Sequence, residues 1–320
     1  LNQNGYHRSW VPPNHLFVAR NSQIRAIRFD FDAMETRGAD AVVIENVETR
    51  AFNWGRANFA VSANGRLVYI EGQDTGFQQR AYMLQTRANG SEPETRALEL
   101  SSSRWGRLRL SPDGEMVLLH AVPGSEGADM HVYDIEQGMT EQRTFTNTWD
   151  AIWAPDSESF VYVDQTEEGF GIWRVPAVGI GQPELLISQR QSLEPFDFLP
   201  DGSALIYTTT DSQRSVNDIY QLNLTENAAQ PELLVSSDEN KTDVSVSPDG
   251  NWIAYVSGQS ILLSPYSNAQ TVQPVQIANE PTVMEPRWGP NSDEIFYYVN
   301  ESIMRVAIDP DSGRRLGPGE

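Results

Sequence analysis

Apolar positions along this chain come in short continuous runs, not at helical spacing. Leu16-Phe17-Val18, Leu67-Val68-Tyr69-Ile70, Phe160-Val161-Tyr162-Val163, Leu205-Ile206-Tyr207 and Ile253-Ala254-Tyr255-Val256 are strand-sized and rich in β-branched and aromatic residues. Each follows a polar turn of one kind. The turn occurs as Val11-Pro12-Pro13-Asn14, Ser62-Ala63-Asn64-Gly65, Ser111-Pro112-Asp113-Gly114, Ala154-Pro155-Asp156-Ser157, Leu199-Pro200-Asp201-Gly202, Ser247-Pro248-Asp249-Gly250 and Gly289-Pro290-Asn291-Ser292. Pro presets φ, Asp or Asn caps through its side chain, and Gly accepts positive φ. Pro13-Asn14, Ala63 and Ser157 depart from that pattern. A third strand follows in every unit, as in Met130-His131-Val132-Tyr133, and a fourth in six of them, as in Glu184-Leu185-Leu186-Ile187.

The turns lie 42 to 51 residues apart, a period that fits propeller blades. The prediction is an all-β, seven-bladed β-propeller of four-stranded antiparallel blades, one domain over residues 1–320. Blades are expected near 6–50, 56–101, 105–147, 149–189, 193–237, 242–279 and 284–320; discounting the weak first unit gives six. Stacking explains why the strands are apolar on both faces, since each blade is covered by two neighbours. After Ile308 no clear fourth strand is visible. Either the last blade has three strands, or residues near Leu1 complete it, or the strand lies outside the sequence.

Composition narrows the partners. Lys+Arg 23 against Asp+Glu 44 leaves a net charge of −21, which disfavours nucleic acid and anionic membrane surfaces. Twenty-two of the basic residues are Arg and one, Lys241, is Lys. That bias fits a saline habitat or a genomic base composition equally well. The absence of Cys excludes a disulfide scaffold, a thiolate metal site and a cysteine nucleophile. No apolar run approaches the roughly 18 residues a bilayer span needs. The chain opens at Leu1 without a visible signal peptide and is expected to be a piece of a longer protein.

The repeated Ser-Pro-Asp-Gly turn, the aromatic residue before it and the later Ile-Tyr or Ile-Trp strand resemble the WD-like repeats of TolB-type propellers. His15-Leu16-Phe17-Val18-Ala19-Arg20, Ile24-Arg25-Ala26-Ile27-Arg28-Phe29-Asp30, Phe59-Ala60-Val61-Ser62 and Gly65-Arg66-Leu67-Val68-Tyr69 look like the TolB-like region of bacterial multidomain regulators. There the propeller follows a Ser/Thr-kinase or a CadC-like winged-helix domain, usually beyond a membrane helix. The resemblance implies the sensory or protein-binding half of an envelope signalling or transcription-regulatory protein. It also implies a periplasmic or otherwise extracytoplasmic site, with the cytoplasm as the alternative. The TolB-type family accepts partner peptides at the channel mouth, so the expected partner is a protein, a peptide or a small ligand in the channel of a monomer.

Catalytic signatures are scarce. There is no G-x-S-x-G elbow, P-loop, kinase set or dinucleotide fingerprint. His7, His15, His120 and His131 share no metal-ligand spacing, and the last three read as structural. Asp309-x-Asp311-x-Gly313 resembles half a calcium loop but reads better as a solvated turn, as does the acidic tip Asp164, Glu167, Glu168. Trp10, Trp153, Trp173 and Trp288 stand at repeat-equivalent positions and read as core between blades.

The remaining constellation follows from topology. The first strand of each blade should line the central channel. Four residues before the turn stand His7, Asn58, Arg107, Asp150, Pro195, Asp243 and Glu285; two before it stand Ser9, Ala60, Arg109, Ile152, Asp197, Ser245 and Arg287. His7, Asn58, Arg107, Arg109, Asp150, Asp197, Asp243, Glu285 and Arg287 are therefore the candidate binding residues. Carboxylates beside guanidiniums suit a cation such as Ca²⁺, a water cluster or a basic segment of a partner. Mutual neutralisation around a wet channel is the plainer reading, and no cofactor is otherwise expected. A non-catalytic binding propeller leads. The alternatives are a polysaccharide lyase at the channel mouth, with His7 and Arg107 as its working pair, and the propeller fragment of a prolyl-oligopeptidase-like enzyme.

Overall fold

The computed structural model describes residues 7–11, 15–30, 35–48, 58–62, 64–72, 80–85, 94–100, 105–121, 129–146, 148–225, 230–300 and 302–317. The chain forms seven antiparallel sheets, each built from consecutive strands. Blade 4 shows the plan: Trp149–Trp153, Ser159–Thr166, Gly169–Pro176 and Glu184–Gln189 pair in that order. Blade 1 differs in its outer edge, where Glu35–Thr36 and Ala41–Ile44 both pair with Gln23–Asp30. The molecule is a seven-bladed propeller.

The first strands are Phe59–Val61, Trp105–Leu110, Trp149–Trp153, Leu193–Phe198, Lys241–Val246 and Met284–Trp288 in blades 2 to 7, and His7–Val11 in blade 1. They neighbour one another around the axis. Second strands are enclosed by blades on both sides. Trp252–Ser257 is buried at every position and Ala204–Thr210 at all but the last, which is why these runs do not alternate. Outer strands revert to solvent: Glu94–Leu98 buries only Leu98.

Seven apolar clusters fill the seven seams. Ile152, Val161 and Ile172 of blade 4 meet Phe198, Leu205 and Tyr207 of blade 5. The ring closes where Leu16, Val18 and Ile27 of blade 1 meet Phe296 and Ile303 of blade 7. No described strand is exchanged between blades, so closure is by side-chain packing.

The last blade does have a fourth strand, against the expectation of three or a loan from Leu1. Arg315–Leu316 pairs with Ala307 and Ile308. Asp309 makes this possible. Its Oδ1 accepts from the backbone N–H of Asp311 and Ser312, and Gly313 N–H donates to Asp309 C=O at 2.8 Å. These bonds hold the Asp309 carboxyl below its usual range. The half calcium loop is thus an Asx-stabilised reversal.

Several of the repeated turns are linked across the seams into a partial girdle. In blade 3, Ser111 Oγ donates to Asp113 Oδ1 at 2.5 Å and accepts from Met116 N–H at 2.9 Å, while Gly114 N–H closes the turn on Ser111 C=O. Asn64 Nδ2 of blade 2 donates to Asp113 C=O at 2.6 Å. Asp113 N–H in turn donates to Ser157 Oγ of blade 4 at 3.1 Å, and Asp249 N–H of blade 6 to Ser292 Oγ of blade 7 at 3.1 Å. Ser157 and Ser292, which replace the turn glycine, hold φ of 64° and 61° and use their hydroxyls as inter-blade acceptors. The tryptophans before the turns act alike: Trp153 Nε1 donates to Arg109 C=O at 3.0 Å and Trp288 Nε1 to Ser245 C=O at 3.2 Å.

Candidate functional site

The other end of the first strands is built differently. In blades 3 to 7 the pairing of the first strand with the second slips at one point: between Trp105 and Leu108, Trp149 and Ala151, Pro195 and Asp197, Thr242 and Ser245, and Met284 and Arg287. Bulges of this kind re-aim side chains and cluster at functional rims. Asp150, Asp243 and Glu285 sit in them with φ of 22°, 51° and 51°, a region that acidic residues with a Cβ enter at a cost.

Five of the nine candidate residues converge. Arg107 Nη1 donates to Asp150 Oδ1 at 2.6 Å, and Arg109 Nη2 reaches the same oxygen at 3.4 Å. Arg109 is packed among other residues, yet 39 % of its side chain meets solvent. Its Nε–H is shielded and has no acceptor among the described residues. Burial first, then repulsion from Arg107 and Arg287, pulls the Arg109 guanidinium below its ordinary range, with Asp150 opposing. Arg287 is exposed, and its hydrogen bond is a long 3.4 Å one to the carbonyl of Pro286.

Asp197 shares the field of Arg287 and Arg109 but bonds to neither. Its Oδ2 accepts from Val246 N–H of blade 6 at 3.0 Å and its Oδ1 from Phe198 N–H at 2.9 Å. Burial raises its carboxyl above the usual range, against those two donors and the arginines. Asp197 therefore clamps two blades at the channel wall.

Of the other four candidates, one is committed elsewhere. Asn58 is 7 % exposed and donates to Glu48 Oε2 at 2.5 Å, a tie between blades 1 and 2. Asp243 and Glu285 also have partners within the protein. The backbone of His7 pairs with Ala19, and its side chain lies outside the described residues. Among the described residues no group of three acidic or histidine side chains gathers as a metal ligand set.

His120, read from sequence as structural, borders the site. Burial lowers its pKa most; a hydrogen bond to the Thr148 carbonyl opposes this, while Arg107 lowers it further. Its Nε2 is shielded and has no partner among the described residues. Only its place in a strand, not its seam neighbours, was visible in the sequence. A separate groove of about 580 Å³ runs between blades 5 and 6, lined by Leu233, Tyr255, Leu262 and Gln270 among others. None of the candidate residues borders it.

No known family profile and no curated protein matches the sequence. Solved structures do. The chain is similar to a putative TolB from Agrobacterium tumefaciens, at 21 % identity over 70 % of this chain and 83 % of that one, TM-score 0.52. It is similar to puromycin hydrolase at 15 % identity, TM-score 0.70, over 98 % of this chain and 53 % of the other. It is also similar to the periplasmic gluconolactonase PpgL of Pseudomonas aeruginosa at 13 % identity, TM-score 0.60, over 94 % and 92 %. These likenesses establish a TolB-like propeller fold, and the names attached to it cover enzymes as well as TolB.

Proposed function

We propose that this protein is a non-catalytic propeller that binds a protein, peptide or small ligand in its central channel, as the sensory or interaction part of an extracytoplasmic signalling protein. One observation carries the reading. Side chains from blades 3, 4, 5 and 7 (Arg107, Arg109, Asp150, Asp197 and Arg287) converge on the axis, where a ring of structural repeats has no need of charge. The extracytoplasmic placement draws on the resemblance to TolB-like regulators and on the periplasmic gluconolactonase among the similar structures. Among the described residues no helix is long and apolar enough to cross a membrane.

The test is capture from envelope extract by immobilised protein. Capture should be saturable, should fall at least tenfold on Arg109→Gln with Arg287→Gln, and should survive Glu136→Gln on the exposed outer edge of blade 3. Capture unaffected by the channel pair would refute the site. His120, in the field of Arg107 and Asp150, supports a second reading, an enzyme at the same mouth in which substrate binding uncovers its imidazole as a base. Incubation with acidic polysaccharides separates the two: unsaturated products lost on His120→Gln or Arg107→Ala would establish a lyase.

A further inference from the structure

We infer that the channel holds an oxyanion, a carboxylate or phosphate group of the bound partner, between the guanidiniums of Arg109 and Arg287. The inference rests on the channel being the binding site and names the chemistry it recognises. Three cations and two carboxylates share this space, which would suit mutual neutralisation if the pairs were made. They are not made evenly. Asp150 is taken by Arg107 at 2.6 Å and only grazes Arg109 at 3.4 Å. Asp197 gives both its oxygens to backbone N–H groups of Phe198 and Val246.

Two guanidiniums on blades 3 and 7 are therefore left within electrostatic reach of each other, and among the described residues no carboxylate is hydrogen-bonded to both. The guanidinium of Arg109, part of which meets solvent, makes one long hydrogen bond; Arg287 has one long bond to the backbone beside it. Holding like charges together is unfavourable in an empty site. An oxyanion supplies the missing acceptor to both forks, and planar guanidiniums match carboxylate and phosphate oxygens. The fold can saturate a buried cation: Lys241, 0 % exposed, donates to Asp218 Oδ1, Ser237 C=O and Glu239 C=O at 2.7 to 3.0 Å. The bare donors near the axis are thus a property of this place.

Titration calorimetry with citrate, with inorganic phosphate and with calcium chloride, at matched ionic strength, tests the inference. Either anion, or both, should bind saturably, and the stronger of the two identifies the group as carboxylate or phosphate. Arg109→Gln and Arg287→Gln should each weaken binding about tenfold or more, the scale of one charge-assisted hydrogen bond. Arg287→Lys, which keeps the charge but loses the fork, should weaken it by less. Asp150→Asn should tighten anion binding severalfold by freeing both neighbouring arginines. No saturable anion binding, anion binding indifferent to both Gln variants, or calcium binding weakened by Asp150→Asn would each overturn it. Melting curves of every variant confirm folding, and Arg287→Lys stands in should Arg109→Gln fail to fold. Should both anions fail while envelope capture still depends on the channel, the binding function stands and only the oxyanion falls.

Discussion

The two ends of the same first strands follow opposite rules. At the turn end the signature residues hydrogen-bond within their own turn and often to the next blade: Asn64 to Asp113, Asp113 to Ser157, Asp249 to Ser292. About four residues away, roughly 13 Å along a strand, register slips and carboxylate residues take positive φ, and Arg109 Nε and His120 Nε2 nearby have no partner among the described residues. One end is built for closure of the ring. The other keeps strain and unspent hydrogen-bonding capacity, the pattern of binding sites that draw on stability made elsewhere.

The largest expected effect tests whether the channel end is simply unable to satisfy buried charge. Lys241 opens the first strand of blade 6, and its three acceptors form a tripod that suits an ammonium and not a planar guanidinium. This accounts for the one lysine in a chain that otherwise uses arginine. Lys241→Met leaves Asp218 with Arg214 and the Ser236 hydroxyl and should cost about 3–5 kcal/mol in urea unfolding. Lys241→Arg should fail to restore it. A loss under about 1 kcal/mol would mean that this end does not depend on its ion pairs.

The turn end gives a matched pair of intermediate size. Gly114 and Gly202 occupy the same signature position with φ of 75° and 73°. A Cβ at Gly114 would stand 2.6 Å from Asn64 Oδ1 and from Ser62 Oγ, whereas at Gly202 it would meet nothing within 4 Å. Both Ala variants pay for the left-handed backbone, about 1 kcal/mol. Gly114→Ala should also displace the Asn64 link and reach about 2–3 kcal/mol in total. Equal losses would show that the girdle between turns adds nothing beyond the turns themselves.

Most of the fold was readable in the sequence because each turn carries its own local chemistry. Ser111 and Ser247 cap their turns in the same way, and such bonds depend on residues a few positions apart. Seven repeats follow from counting them. What escaped depends on partners far along the chain. A bulge is a mismatch between two strands, so nothing at Asp150 or Glu285 announces it. Arg315–Leu316 is too short and polar to read as a strand, though the reversal before it is well marked. Ser157 looks like a weakened turn until Asp113, 44 residues earlier, is seen to use its hydroxyl. The same holds for the site. Convergence of Arg107, Arg109 and Asp150 follows from repeat position, while the commitment of Asn58 to Glu48 and of Asp197 to Val246 does not.

The smallest effect bears on the channel end directly and is read against pH. His15, His120 and His131 all have pKa values below 6.5, chiefly through burial. As pH falls through 6.5 the unfolded chain takes up protons that the folded chain refuses, so stability drops on acidification. Asp129, Asp197 and Glu294, raised above their usual range by burial, act in the opposite direction at lower pH. Asp197 and Glu294 are common to both proteins when the parent is compared with His120→Gln, so the difference reports the imidazole together with the Asp129 carboxyl it is coupled to. The parent should lose more stability than His120→Gln between about pH 8 and about pH 5. Adding Arg107→Gln to the parent should narrow that gap, because the guanidinium is one of the forces keeping the ring neutral. Parallel stability curves for parent and His120→Gln would mean that the shielded Nε2 meets no hostile surroundings, and the contrast between the two strand ends would then rest on the arginines alone.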